Sequence, residues 1–520
     1  MNTRDLFKVR RPEIRALHLT WIAFFICFYT WFNMAPLATT IVKSVGWLTD
    51  EDIKLFAICN VALTIPARVV VGMAMDRWGP RRVFSVLMTC MAFPGFIFAF
   101  GESFAQLLIS RLLLGCIGAS FVVGIHMTAL WFKPSDIGYS EGIYAGWGNF
   151  GSAAAAMALP SITFYLFGGE TGWRYALASN SVLLLAYGIF YWFAITDGPA
   201  GAVHRKPRKV AAMEVSCYGD MIKLILWTIP MLGGLSVLVW KIQGMGYLGG
   251  IGAAISYGAI ASAVIYQIIQ ILKINLPILR KGVPKDDHYD FNSVAALNST
   301  YLANFGAELA VVSMLPAFFE TTFSLSPASA GLIASSFAFV NLFARPLGGV
   351  ISDRMLNRKR VMLIYMIGIA VGFFLMGLIH SGWPIILAVL ITILCSCFVQ
   401  GAEGATFAII PMIKRRLTGQ ISGMAGAYGN VGAVLYLTIY SFVDSKTFFF
   451  VIATGALTSF LVCLCYLKEP EDAFSGEYYV SSVDRDIEGE AILGNLFSAP
   501  MHDPPLKEGQ VKMEVGTDES

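Results

Sequence analysis

Two arginines occupy equivalent positions in an eleven-residue pattern that occurs twice. Residues 67–77 and 344–354 both have the form A-R-x-x-x-G-x-x-x-D-R, so Arg68 and Arg345 each precede an Asp-Arg pair by eight residues. Eight helical residues rise about 12 Å, which places each arginine well inside a bilayer whose surface is marked by the Asp-Arg pair. A charge at that depth is costly and indicates function. Two planar guanidinium forks that face each other suit a small oxyanion.

The alternative for each arginine is a side chain that snorkels to the surface or pairs with a buried acid. For one arginine alone, the two interpretations would be balanced. The repetition at equivalent positions favours a binding role for the pair.

A second repeated stretch places an asparagine among glycines. Residues 145–151 read A-G-W-G-N-F-G and residues 426–432 read G-A-Y-G-N-V-G, with Asn149 and Asn430 at matching positions. An amide can donate to an oxyanion without adding charge, and glycines let neighbouring helices approach closely. We therefore interpret the asparagines as candidate ligands and the glycines as helix-packing residues. These glycines are Gly146, Gly148, Gly151, Gly429 and Gly432.

The composition is that of a polytopic membrane protein. Of the 520 residues, 56% are hydrophobic and only 14% are charged, whereas soluble domains average about 25% charged residues. The sequence contains no Walker loop, no His cluster with metal-ligand spacing and no sizeable soluble catalytic domain. We therefore expect no enzyme activity, cofactor, bound metal or nucleic-acid partner. The nine cysteines lie mostly in apolar runs and are interpreted as small packing residues.

Fourteen apolar runs are long enough to cross a bilayer, which requires about 20 residues. Six runs precede and six follow an inserted pair, which predicts an all-α fold of two six-helix bundles and two additional helices. The runs lie near 17–40, 54–75, 83–101, 105–131, 140–167, 173–195, 220–241, 246–273, 293–319, 328–351, 360–380, 383–411, 418–443 and 447–467.

Loop charges predict the orientation in the membrane. Basic segments such as 205–209 and 358–360 fall in alternate loops, and the loops between them are acidic or poor in charge. Both termini are therefore expected in the cytoplasm. The predicted domains are an N-terminal bundle (1–200), linker segments with two inserted helices (201–290), a C-terminal bundle (291–468) and an acidic disordered cytoplasmic tail (469–520).

Several stretches together resemble a known family. Residues 72–82, G-M-A-M-D-R-W-G-P-R-R, resemble the loop 2–3 motif of the major facilitator superfamily. The paired glycine–asparagine stretches resemble the nitrate signature of its nitrate/nitrite porter family. Residues 21–28 with 35–37 resemble that family's first helix, and residues 301–309 resemble its seventh. Two departures are the longer start of the second signature and the inserted helix pair, which is not part of the usual twelve.

The resemblance implies a secondary transporter of the cell membrane that moves nitrate, nitrite or both by alternating access, in nitrate assimilation. It implies that Arg68 and Arg345 hold the anion, that Asn149 is a stronger ligand candidate than Asn430, and that aromatic walls exclude water. These aromatic residues are Phe25, Phe121, Tyr301 and Phe305. The expected partners are nitrate, nitrite, protons and lipid, and the protein is expected to be monomeric.

The residues at the predicted cytoplasmic helix ends resemble the superfamily's interhelical latch for the outward-facing state. They are expected to affect the rate of transport rather than its selectivity. They are Gly72, Asp76, Arg77, Arg81, Asp353 and Arg354.

Three ionisable residues inside predicted spans bear on coupling. Two fixed cations make an empty closed pocket costly, which favours exchange, whereas net uptake needs a compensating charge or a titratable group. Glu308 lies two helical turns from Tyr301 and is predicted either to balance an arginine or to carry a coupled proton. A purely structural ion pair is the alternative. Glu403 and His126 are further candidates.

Two other functions are compatible with parts of the sequence. A formate- or oxalate-type carboxylate exchanger would also use intramembrane cations on this fold, although the paired glycine–asparagine stretches argue against it. A membrane nutrient sensor would bind nitrate without flux. The sequence leaves proton symport and exchange both open, and assigns no role to the inserted helices.

Overall fold

The computed structural model describes residues 3–132, 134–198, 212–355, 357–414, 417–470 and 482–483. Across these ranges the chain is helical and has no β-strand. Eighteen α-helices build fourteen spans, because several spans are interrupted once. The predicted all-α fold and the predicted number of spans are confirmed.

The N-terminal half forms six spans. The first, second and fourth spans each consist of two helices in succession. The helices are α1 (Pro12–Trp31), α2 (Ala38–Val45), α3 (Asp50–Ala62), α4 (Thr64–Trp78), α5 (Pro80–Phe100), α6 (Phe104–Leu114), α7 (Ser120–Trp131), α8 (Pro134–Ser161) and α9 (Trp173–Ala194).

The inserted pair and the C-terminal half form the other eight spans. In the C-terminal half, only the second span consists of two helices, as far as the described residues show. The inserted helices are α10 (Tyr218–Gly244) and α11 (Gly250–Lys281). They are followed by α12 (Phe291–Phe323), α13 (Pro327–Phe339), α14 (Asn341–Arg354), α15 (Arg358–Met376), α16 (Ile385–Ile413), α17 (Thr418–Tyr440) and α18 (Ser445–Tyr466).

Two of the spans are less apolar than the rest. Twelve helical segments in the described ranges are long and apolar enough to cross a membrane, and α8 and α17 are not among them. Both carry the repeated glycine–asparagine stretch, whose Gly, Asn and aromatic residues lower the hydropathy. The glycines of this stretch are buried in both helices. Neighbouring helices, rather than lipid, are therefore the environment of this part of α8 and α17.

Each arginine of the repeated pattern stands near the start of a helix that follows a break. Pro66 has no backbone N–H to donate to the carbonyl of Ala62, so the helix cannot continue regularly from α3 into α4. The C-terminal counterpart is the break at Val340, between α13 and α14. Arg68 and Arg345 are consequently each the fifth residue of their helices.

The two halves contact each other reciprocally. α8 of the N-terminal half packs against α13 and α14, and α17 of the C-terminal half packs against α3 and α4. At the predicted outer ends, Glu320 accepts a hydrogen bond from Thr39 Oγ1 (2.7 Å) and lies 3.9 Å from Lys43 Nζ. Lys54 Nζ lies 4.8 Å from the ring centroid of Tyr440. These contacts join the halves on the predicted outer side.

The inserted pair contacts both halves. α10 packs along α17, where the Tyr428 hydroxyl donates to the carbonyl of Trp227. In the loop between α10 and α11, the Tyr247 hydroxyl donates to Asp52 Oδ1 (2.9 Å), and the Tyr247 ring stacks on Phe104 at 3.6 Å. α11 packs on α10 and is otherwise largely exposed, as expected for a lipid-facing helix.

Some predicted features fall outside the described residues. They are three basic loop segments that contribute to the predicted orientation, namely Lys133, 205–209 and Arg415-Arg416, and most of the tail 469–520. At the start of the tail, the Glu469 carboxylate accepts hydrogen bonds from the backbone N–H groups of Arg358 and Lys359, at 2.9 and 2.7 Å. These bonds satisfy two of the free N–H groups at the beginning of α15.

Candidate functional site

The two repeated arginines meet in one aromatic enclosure. The Cζ atom of Arg68 lies 5.4 Å from the ring centroid of Phe121 and 5.9 Å from that of Phe305. The corresponding distances for Arg345 are 5.8 and 5.9 Å. The side chains are almost fully enclosed, because Arg68 is 5% and Arg345 2% exposed. One arginine from each half is therefore brought to the same two rings.

Arg345 is held by neighbours from its own half. Its Nη1 forms an ion pair with Glu403 Oε2 on α16 and lies 4.0 Å from Glu308 Oε2 on α12. Its Nη2 donates to the Tyr301 hydroxyl at 2.9 Å. The Asn341 amide donates to Glu308 Oε1 at 2.6 Å, which fixes the second carboxylate. The positive charge of Arg345 is therefore balanced by nearby carboxylates, and its guanidinium group is largely occupied by these contacts.

Arg68 has no such compensation. None of its guanidinium nitrogens has a hydrogen-bond partner in the part of the chain that the structure describes, and no carboxylate of those residues lies within 4.0 Å. Buried donors without partners are rare and costly in native proteins. Arg68 is therefore the group in this enclosure with the greatest unmet capacity to bind an anion.

Two glycines of the repeated stretches let the glycine–asparagine helix of each half lie close to the arginine-bearing helix of the other half. A Cβ atom on Gly426 of α17 would collide with Nη1 of Arg68 from the other half. Likewise, a Cβ atom on Gly146 of α8 would collide with the carbonyl oxygen of Asn341, one turn before Arg345. Each glycine–asparagine helix thus faces the arginine-bearing helix of the other half.

The other repeated glycines pack helices within their own halves. Substituents on Gly148 and Gly151 would meet α1, and substituents on Gly429 and Gly432 would meet α12. At these positions α8 therefore lies close to α1, and α17 lies close to α12.

The two asparagines differ in their bonding. Asn149 is fully buried, and both side-chain polar atoms lack a partner among the described residues. It lies one turn from Gly146, on the side of α8 that faces α14. Asn430 lies one turn from Gly426 and donates to its carbonyl at 3.0 Å, which leaves only Oδ1 unpaired within the described ranges. Asn149 therefore retains more free hydrogen-bonding capacity than Asn430.

Most of the predicted aromatic residues lie at the site. Tyr301 stacks on Phe305 with centroids 5.0 Å apart, and Phe121 lies over both arginines as described above. The ring of Phe25 points elsewhere, since it stacks on Tyr29 and contacts Phe150. The structure therefore brings Phe121, Tyr301 and Phe305 together around the guanidiniums but does not place Phe25 with them.

Three neighbours of the site were not singled out from the sequence. Asn341 orients Glu308, Phe407 packs at 5.2 Å against Tyr301 and at 5.7 Å against Phe121, and Phe24 lies 5.8 Å from Phe121. Two of them carried a signal in their spacing. Asn341 is four residues before Arg345, and Phe407 is four residues after Glu403, so that each shares a helix face with a candidate residue.

The predicted latch residues contact neighbours of their own half. The backbone N–H of Arg81 donates to Asp197 Oδ1 at 2.7 Å, and Asp353 Oδ1 accepts from Arg358 Nη1 at 2.6 Å. Gly79 has φ = 80°, a conformation that suits glycine, and a Cβ atom there would press on the Asp197 carboxylate. The other latch residues are the partly buried Gly72, the exposed Arg77 and Arg354, and Asp76, whose side chain lies outside the structural description.

The candidate coupling residues are separated by the fold. Glu308 and Glu403 both approach Nη1 of Arg345, whereas His126 is partly buried on α7. Within the described ranges, no group of three or more His, Cys, Asp or Glu side chains is arranged to hold a metal ion, and the nine cysteines are unpaired.

Solved structures share this helical arrangement. The D-xylose–proton symporter superposes with a TM-score of 0.60 at 12% identity, and the alignment covers 88% of this chain and 98% of that one. The xylose transporter XylE from E. coli, in a partially occluded inward-open conformation, gives a TM-score of 0.59 at 13% identity with the same coverage. At these identities the likeness establishes the fold alone.

Sequence relatives are far closer. The sequence model of the Major Facilitator Superfamily matches residues 20–279 and 297–482. The nitrate/nitrite transporter NrtP of Picosynechococcus sp. is 43% identical over 503 residues, covering 89% of this chain and 94% of the relative. The high affinity nitrate transporter 2.5 of Arabidopsis thaliana is 29% identical, with coverages of 84% and 76%. The chain therefore belongs to the major facilitator superfamily and, within it, to the family of the nitrate/nitrite transporter NrtP. The resemblance seen in the sequence motifs is confirmed.

Proposed function

We propose that the protein transports nitrate and nitrite across the cell membrane by alternating access, with the anion held between Arg68 and Arg345. The proposal rests on two buried guanidiniums, one from each half, that lie over the same two aromatic rings. Relatives named as nitrate/nitrite and nitrate transporters support this substrate class. The relatives are transporters rather than enzymes.

The chemistry of the enclosure suits a small planar monoanion. The free fork of Arg68 offers charge-assisted hydrogen bonds, and the free amide of Asn149 offers a further donor without charge. The rings of Phe121 and Phe305 keep water out and so strengthen the attraction between the anion and the guanidiniums. Rocking of the two halves about this shared site then exposes it to either side of the membrane in turn.

The proposal also covers the orientation in the membrane, the division into domains and the assembly. We propose that both termini and the tail 469–520 lie in the cytoplasm, because basic segments occupy alternate loops. The division into bundles 1–200 and 291–468, joined by 201–290, is part of the same proposal, as is a monomeric state. The latch residues at the helix ends are proposed to set the rate of the conformational change.

Flux measured with purified protein in liposomes tests the function. The unaltered protein is expected to exchange external nitrate for internal nitrate or nitrite. Arg68→Lys and Arg345→Lys are each expected to lower the nitrate affinity by about ten- to a hundredfold, since lysine cannot reproduce bidentate bonds worth about 1.5–3 kcal/mol each. Arg174→Lys is the control, because Arg174 donates to the carbonyls of Ala99 and Gly101 at the end of α5 rather than to residues of the enclosure.

The same assay separates the alternatives. Competition by nitrite but not by formate or oxalate is expected for a nitrate/nitrite transporter. Stronger competition by formate would instead indicate a carboxylate exchanger. Binding of nitrate without any flux would indicate a sensor. Either result would refute the proposed transport activity.

A further inference from the structure

A further buried arginine of the N-terminal half lies away from the aromatic enclosure. Arg111 on α6 is fully buried, and its Cζ atom lies 3.9 Å from the ring centroid of Phe98 on α5. Its Nη2 donates to Asn33 Oδ1 at 2.8 Å, whereas Nε and Nη1 have no hydrogen-bond partner among the described residues. No carboxylate of those residues lies within 4.0 Å of it. The described neighbours therefore leave the positive charge of Arg111 uncompensated.

The surroundings of Arg111 fit a small monovalent anion. A guanidinium without a counter-charge is strongly unfavourable in a region of low dielectric, and so are buried N–H groups without acceptors. One bound monoanion would cancel the charge and accept from the free N–H groups. The hydroxyl of Thr30, three residues before Asn33, is also fully buried and unpartnered in the described ranges, and it offers a donor without charge.

The depth of Arg111 in the membrane places it between the outer surface and Arg68. α6 begins at Phe104, at the predicted outer end of the fourth span, so that Arg111 lies about 10 Å below that end. Phe121, which lies over Arg68, follows ten residues further along the same span, a rise of about 15 Å. Arg111 therefore lies outside the aromatic enclosure, at a separate level of the N-terminal half.

Packing joins this level to the helix that carries Arg68. A Cβ atom on Gly115, one turn after Arg111, would meet the carbonyl oxygen of Asn60 at 2.9 Å. Thr64 Oγ1, at the start of α4, donates to the carbonyl of Gly115 at 2.5 Å. α4 therefore begins against the part of the fourth span that directly follows Arg111.

Resting on the proposed function, we propose that Arg111 is the centre of a second site for a small monovalent anion, where nitrate or nitrite from the outer side binds before it passes to Arg68. Arg111 supplies the charge and the free N–H groups, and Asn33 orients the guanidinium through Nη2. The side chain is enclosed in this structure, so the anion reaches it when the outer contacts between the halves open. Its charge then raises the local concentration of anions above Arg68.

Bromide locates bound anions directly, because its anomalous X-ray scattering distinguishes it from water. Crystals of the unaltered protein grown in sodium bromide are expected to show one bromide between Arg68 and Arg345 and a second one on Arg111. Nitrate added together with bromide should weaken both anomalous peaks. A bromide in the enclosure without one on Arg111, or a peak on Arg111 that nitrate does not weaken, would overturn the proposal.

The variant Arg111→Gln tests the residue by titration calorimetry and by flux. It should lower the number of bound nitrate ions per chain from two to one and raise the KM for uptake from the outer side by about tenfold, because the local anion concentration falls. Arg111→Lys keeps the charge and should restore the second nitrate, whereas Arg174→Gln should bind two as the unaltered protein does. Two nitrate ions bound to folded Arg111→Gln would overturn the proposal. Two ions bound to the unaltered protein without any nitrate flux would refute the proposed function and not the site.

Discussion

Asn149 and Asn430 occupy matching positions, yet of these two only Asn149 has neither amide atom hydrogen-bonded within the described residues. Asn149→Ala is expected to weaken nitrate binding by about 1.5–3 kcal/mol, or about ten- to a hundredfold, because a hydrogen bond to a charged ligand is lost. Asn430→Ala serves as the comparison and should have a smaller effect, since its amide is already bonded to Gly426. Nitrate affinities from titration calorimetry measure the difference. Equal effects would contradict the assignment.

Gly426 offers a single-atom test of the Arg68 position. A methyl group at this site meets Nη1 of Arg68, the far end of a flexible side chain, so the variant Gly426→Ala should fold while the guanidinium is displaced. We expect nitrate affinity to fall by about tenfold, which corresponds to about 1.4 kcal/mol, with little change in the unfolding temperature. Gly423→Ala on the same helix is the control, because no atom lies within 4 Å of its added Cβ. Unchanged nitrate affinity in Gly426→Ala would show that the guanidinium of Arg68 does not lie against residue 426.

Among elements, α8 and α14 are in close contact at Gly146. A methyl group there meets the carbonyl oxygen of Asn341 and the ring of Pro346, neither of which can rotate away. Overpacking of this kind costs about 1–3 kcal/mol. Gly146→Ala is therefore expected to disfavour the closed arrangement of the halves and to slow counterflow by about tenfold or more.

Gly142→Ala provides the matched control for this contact. Its added Cβ would lie 3.5 Å from Pro346, an ordinary van der Waals distance. Counterflow rates of the two variants, measured at equal protein density in liposomes, make the comparison. Similar slowing in both would mean that packing at Gly146 has no special role.

The sequence predicted the spans better than the interruptions within them. The lengths of the fourteen spans were predictable from the sequence, because a bilayer requires about 20 helical residues for a crossing, even in the less apolar α8 and α17. The breaks at Leu63 and Val340 were not predicted, since a hydropathy average over a whole span does not show where the helix is interrupted. At Leu63 the cause is local, because Pro66 leaves one carbonyl without its donor.

The site was predictable where the repeat carried the information. The internal duplication identified Arg68 and Arg345 without any structure. The ion pair between Arg345 and Glu403 was not predictable, because 58 residues separate them and only the packing of α14 on α16 brings them together. Phe24 rather than Phe25 approaches Phe121, since one residue turns a helix face by about 100° and the sequence does not fix that rotation.

At the scale of the whole molecule, the inserted pair bridges the two halves. α10 lies along α17 of the C-terminal half, and Tyr247, in the loop after α10, donates a hydrogen bond to Asp52 in the N-terminal half. Burial and this hydrogen bond raise the pKa of Tyr247, so the phenol remains a donor at physiological pH. When the halves rock and the outer side opens, the hydrogen bond between Tyr247 and Asp52 must therefore break, or the inserted pair must move together with the N-terminal half.

Tyr247→Phe removes the hydrogen bond and keeps the stacked ring. We expect the outer ends to open more often, with amide hydrogen exchange in α3 faster by about fivefold for a bond worth about 1 kcal/mol. Tyr266→Phe on α11 is the control, because that side chain is largely exposed. Mass-spectrometric exchange on the protein in liposomes measures both. Unchanged exchange in Tyr247→Phe would show that the inserted pair does not restrain the outer side.

The low hydropathy of α8 and α17 has a consequence for biosynthesis. A segment with so many glycine and polar residues enters the lipid phase poorly by itself when it leaves the translocon. Each must wait for partners that are already inserted: α1 for α8, and α12 for α17. The helices that carry the asparagines are therefore integrated cooperatively, and a ribosome-bound chain acquires its binding pocket only near the end of translation.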